Sequence, residues 1–123
     1  MAPESQPAAS SAPEFSHALD LLWDRFKPEI AQRVALLESA ASAAAAHALT
    51  QAQQQTAHSA AHKLAGVLGT FGLAQGTALA REIENLCAQD APSGFTGADR
   101  LLSLASQLRT VVESRAASGT HPK

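Results

Sequence analysis

Apolar residues recur along this chain at alternating three- and four-residue steps, the spacing of helices with one buried face. The first such run holds Leu19, Leu22, Trp23 and Phe26, starting from Ser16, with Phe15 just ahead of the expected N-cap as an apolar staple. Pro28 lacks a backbone donor and clashes with the preceding turn, so this first helix is expected to be short and to break there. The next helix takes Pro28 into its first turn and buries Ile30, Val34, Leu37 and Ala41, then follows an alanine run to about Leu49. Arg33 and Glu38 fall on its solvent side. The polar string Thr50 to Thr56 forms a connection or fraying turn into a third run, Ala57 to Leu73, in which Ala57, Ala61, Leu64, Leu68 and Phe71 share one face.

That helix is expected to stop near Phe71, with Gly72 in the left-handed conformation and Leu73 folding back. Residues Ala74 to Gln89 give another helix, turning Leu79, Ile83, Leu86 and Cys87 inward and Arg81, Glu82, Glu84 and Asn85 outward. A Pro/Gly loop from Asp90 to Gly97 follows, with Phe95 closing the bundle end. Thr96 and Asp99 have the spacing of a capping pair. The last helix buries Leu101, Leu104, Leu108, Val111 and Val112 and ends near Arg115. The fold class is all-α: an antiparallel four-helix bundle with an additional short N-terminal helix across one end. Residues 1–14, rich in Pro, Ala and Ser, read as a disordered tail or linker, residues 15–115 as the bundle, and residues 116–123 as a second tail.

Composition narrows the possible partners. The 123 residues carry nine basic and eleven acidic side chains in dispersed order, which leaves no electrostatic footprint for nucleic acid or an anionic membrane. No apolar run reaches spanning length, and the first residues lack the pattern of a secretory signal, so the protein reads as cytoplasmic. A closed bundle predicts a monomer. Cys87 has no internal partner to form a disulfide and is expected to be an inert core residue.

The chemistry gathers at His62. On the helical wheel it lies about 140° from the centre of the buried stripe, so a strongly patterned helix carries an imidazole on its outer side. Gly66 follows one turn on and Gly69 two turns on, while Ser59 and Ala65 border the same patch. Each helical glycine costs about 1 kcal/mol relative to alanine, so a pair of them beside an exposed histidine calls for a reason outside helix stability. Close approach by another protein supplies one. His58, one turn before His62, could chelate a metal with it, but a third ligand is missing; no metal site is expected, and His58 is taken as the rim of a docking patch. Lys63 lies about 100° around the helix and reaches the imidazole only by bending back.

The string HKLAGVLGTFG, through His62, Leu64, Gly66 and Gly72, resembles the histidine-containing phosphotransfer domain family, whose motif runs His-x-x-Lys-Gly with a further glycine downstream. The resemblance implies a phosphorelay intermediate: His62 accepts a phosphoryl group from a receiver-domain aspartate and passes it to another receiver. It implies response-regulator receivers as partners, with a hybrid histidine kinase among them. It further implies no kinase activity of the chain's own, no cofactor bound by it, and Mg2+ held by the receiver. The family lysine position is Ala65 here, and Lys63, Lys27 and Arg81 are the cations that could stand in for it. The alternative is a helical adaptor that binds receivers without carrying phosphate.

Overall fold

The computed structural model describes the backbone of residues 5–88 and 97–120 and the side chains of residues 15–88 and 97–115. Among them are four helices and no strand: α1 (Ser5–Ala45), α2 (Gln51–Thr70), α3 (Ala74–Cys87) and α4 (Ala98–Thr120). Each packs against the next and α4 returns to α1, closing a ring. Neighbours run antiparallel. Asp20 and Glu38 of α1 meet Arg115 and Arg109 of α4, Gln54 and His62 of α2 meet Cys87 and Glu84 of α3, and Gly76 and Glu82 of α3 meet Val111 and Arg100 of α4.

Pro28 does not divide α1. The expected short N-terminal helix is the first half of one continuous helix, and Phe15 is an exposed residue within it rather than a staple before it. The reason lies in the packing. Trp23, Ile30, Val34, Leu37 and Ala41 are all buried in one cluster, so the apolar stripe stays in phase across the proline. Asp24, whose carbonyl loses the proline's missing donor, and Pro28 itself are both exposed, and water can satisfy the free carbonyl. The helix begins at Ser5, within the stretch expected to form a tail. It ends at Ala45, earlier than the alanine run suggested, and His47 follows with φ of 56°.

The polar string before the central helix proves to be its N-cap and opening turns. Thr50 is the N-cap: its hydroxyl accepts from the Gln53 N–H at 3.0 Å, and the Gln53 side chain accepts from the Thr50 N–H at 2.9 Å. Gln54 is buried and donates to the Cys87 carbonyl at 3.1 Å, satisfying an acceptor in the last turn of α3. At the other end of α2, Gly72 has φ of 71° as expected. Leu73 N–H returns to the Leu68 carbonyl and Gly72 N–H to that of Gly69, which together close the helix end.

The core is built from Trp23, Ile30, Leu37, Leu64, Leu68, Ile83, Leu101, Leu104 and Leu108, all essentially without solvent contact. Small residues on α2, namely Ala57, Ala60, Ala61 and Ala65, are buried beside them and let neighbouring helices come close. Phe71 caps one end of this core, edge-on to Trp23 at 5.1 Å between ring centroids. Arg115 lies over the Trp23 ring at 5.3 Å and pairs with Asp20 at 3.0 Å. The expected Thr96 and Asp99 capping pair and the Phe95 closure depend on Phe95 and Thr96, outside the described residues.

Candidate functional site

The buried stripe of α2 fixes where His62 stands. Ala61 and Leu64 are wholly buried on either side of it in sequence, and this turns the intervening positions outward; the His62 side chain is 70% exposed. Its Nδ1 lies 2.8 Å from Oε2 of Glu84 on α3. An ionised carboxylate only accepts, so the proton of this bond sits on Nδ1 and the lone pair of the neutral ring sits on Nε2. The arrangement selects one tautomer and aims the other nitrogen away from Glu84.

Glu84, which the periodicity of α3 alone turns outward, is the partner that α3 brings to His62. It is one-fifth exposed, held in the α2–α3 seam where Ile83 and Cys87 flank it in the buried face of α3. The partly covered position limits solvent screening of its charge and fixes the carboxylate against the imidazole. His58 also points towards it: Nε2 of His58 is 3.9 Å from the same oxygen, and its side chain is 41% exposed. Among the described residues no group of three or more His, Cys, Asp or Glu side chains has the geometry of a metal site.

Gly66 stands open, since a Cβ built there meets no atom within 4 Å apart from its own helix backbone and chain neighbours. Gly69 is also exposed, and a Cβ there would meet only the Thr77 hydroxyl at 3.6 Å. Ser59 and Lys63 are exposed on the opposite flank from Glu84, where they line a groove of about 570 Å3 between α1 and α2 together with Glu29, Arg33 and Leu36. Arg33 pairs with Glu29 in that groove at 3.3 Å.

Ala65 departs from the expected rim. It is buried, and its carbonyl accepts from the Thr77 hydroxyl at 3.2 Å, so the position belongs to the α2–α3 seam. The wheel puts residue 65 on the side of His62 that faces α3, and α3 covers it. Lys27 and Arg81 are exposed, and among the described residues neither makes an ion pair or hydrogen bond with His62. Cys87 is buried in the core, and burial pushes its thiol up to about 11, which suits an inert side chain.

Comparison with known proteins supplies a family. The model of the Hpt domain matches residues 21–111, most of the chain. Protein RcaC of Microchaete diplosiphon is 34% identical over 76 residues, which cover 62% of this chain and 12% of RcaC. The chain therefore corresponds to a small part of that relative's length. No solved structure matches significantly. No described helix is long and apolar enough to cross a membrane.

Proposed function

The chain belongs to the Hpt domain family, which places it in phosphorelay signalling, and on that premise we propose that it is a carrier whose His62 takes a phosphoryl group from a receiver aspartate and hands it to a second receiver. The observation that carries this reading is the bond from Nδ1 of His62 to Glu84, which leaves a nucleophilic Nε2 on a ring that is 70% exposed. In the transfer, the Nε2 lone pair forms the N–P bond as the P–O bond to the aspartate breaks, and the aspartate leaves as a carboxylate. No proton has to move. The ring, still protonated at Nδ1, becomes positive, and the Glu84 carboxylate offsets that charge as it develops. Return of the phosphoryl group to a second aspartate reverses these steps.

The chain supplies a nucleophile and a partner carboxylate, and the receiver supplies Mg2+ and the remaining charge stabilisation. The open space over Gly66 admits the loops that carry the receiver's aspartate to in-line distance. Lys63 lies on the flank of the approach and is the cation of this chain nearest in sequence to the phosphoryl group. The chain acts in the cytoplasm, with receivers of a hybrid kinase or of free response regulators as its partners.

A non-transferring adaptor is the competing reading, favoured by the buried Ala65 at the family lysine position. Incubation with a receiver phosphorylated on its aspartate separates the two. A carrier gains an acid-labile, base-stable phosphoryl group as the receiver loses its own, and gains none from ATP alone. An adaptor binds the receiver and leaves the phosphate where it was.

A further inference from the structure

One oxygen of Glu84 faces two imidazoles: Oε2 is 2.8 Å from Nδ1 of His62 and 3.9 Å from Nε2 of His58. The two rings stand one turn apart on α2, and the carboxylate is the anion they share. A proton added to the cluster can settle on either ring. On His58 it makes an imidazolium that draws Glu84 towards Nε2; on His62 it fills the nitrogen that must attack phosphorus.

We propose that His58 is a positioning residue that competes with His62 for the added proton and for Glu84, so that His62 keeps its uncharged, nucleophilic form to lower pH than it would alone. Two effects act in the same direction. Protonated His58 takes part of the carboxylate that would otherwise stabilise a positive His62, and its own charge repels a second positive charge one turn away. The functional consequence rests on the carrier reading, whereas the coupling between the rings does not.

The surrounding charges leave this competition between the two histidines in place. On α3, Arg81 is exposed one turn before Glu84, Glu82 pairs with Arg100 of α4, and Cys87 is a buried thiol. On α2, Lys63 lies on the other flank, where α1 presents Glu29 and Arg33, themselves paired. On α4, Arg109 and Arg115 are engaged by Glu38, Glu113 and Asp20. Lys and Arg hold a constant charge over the range in which imidazoles titrate, about pH 5 to 8.

The test follows the ring resonances of His58 and His62 by NMR from acid to alkaline pH in the wild-type protein, His58→Gln, His58→Lys and Glu84→Gln. Removing the competitor in His58→Gln moves the protonation of His62 to higher pH. The permanent cation of His58→Lys moves it below wild type, and Glu84→Gln moves both histidines to lower pH. Phosphoryl uptake, with each profile normalised to its own alkaline plateau, follows suit: at the pH where wild type has half its plateau rate, His58→Gln retains about half as much. An unchanged or lowered protonation of His62 in folded His58→Gln, or no downward move in His58→Lys, overturns the proposal. If the shifts occur and His62 takes up no phosphoryl group at any pH, the coupling stands and the carrier reading fails. If His62 takes it up normally and no shift occurs, the carrier reading stands and this proposal fails.

Discussion

Nδ1 of His62 and the carboxylate of Glu84 form the contact on which the proposed transfer most depends, and its parts can be removed separately. Glu84→Ala takes away both the acceptor and the negative charge, and phosphoryl uptake is expected to fall by about tenfold or more. Glu84→Gln keeps an acceptor for the Nδ1 proton but loses the charge, so its initial rate falls between the two. Both are read as rates from one phosphorylated receiver at fixed pH, with circular dichroism confirming the fold. The exposure of His62 and the open space at Gly66 were legible in the sequence because a single helical wheel puts both positions outside the buried stripe. Glu84 was not, because its partner lies 22 positions away on another helix and the wheel of α3 alone places it on the polar side. The same limit applies to Ala65, whose burial is imposed by α3.

Along α2 and at its C-terminal stop, the glycines have separable roles. Gly66→Ala fills open space and is expected to stabilise the helix by up to about 1 kcal/mol with little loss of transfer. Gly66→Gln should fold but slow transfer by about tenfold or more, because its side chain projects beside the imidazole where the receiver's loops approach. Melting temperature and transfer rate measured on the same samples distinguish the two effects. Gly72 has a purely structural task at φ of 71°, and Gly72→Ala is expected to cost about 1 kcal/mol in denaturant unfolding without changing the tautomer of His62. The helix stop at Gly72 could be read from the sequence because it is local chemistry. The break expected at Pro28 was a local argument too, but the phase of Trp23, Phe26, Ile30 and Val34 runs unbroken through the proline and tertiary burial prevails.

At the scale of the whole molecule, the seam between α1 and α4 contributes stability that depends on pH. Arg109 reaches Glu38 with two nitrogens, at 2.5 and 2.7 Å, and pairs with Glu113 at 3.2 Å. The hydrogen bonds from Arg109, opposed in part by burial, hold the Glu38 carboxyl below its ordinary value of 4.5. A carboxyl lowered by folding adds stability above its unfolded value, and that stability is lost as pH falls through the folded value. Glu38→Gln is therefore expected to melt below the wild type near neutral pH, with the difference closing as the pH falls below 4.5. The pair is more than one-third exposed at both ends, so the gap is small and shrinks in high salt. The all-α bundle itself was legible from periodicity, since the buried leucines of α2 and α4 are the ones their stripes select. The Glu38 and Arg109 pairing, 71 positions apart in sequence, could not be read from either helix alone.

The most direct measurement is 15N–31P coupling in uniformly 15N-labelled protein after phosphoryl transfer from a receiver. The expected result is a phosphorus-coupled nitrogen assigned to Nε2 of His62, with the Nδ1 proton still present and bonded to Glu84, and no coupled nitrogen in His62→Gln. A phosphoryl group on Nδ1, on His58, or retained by the receiver while the complex forms would contradict it.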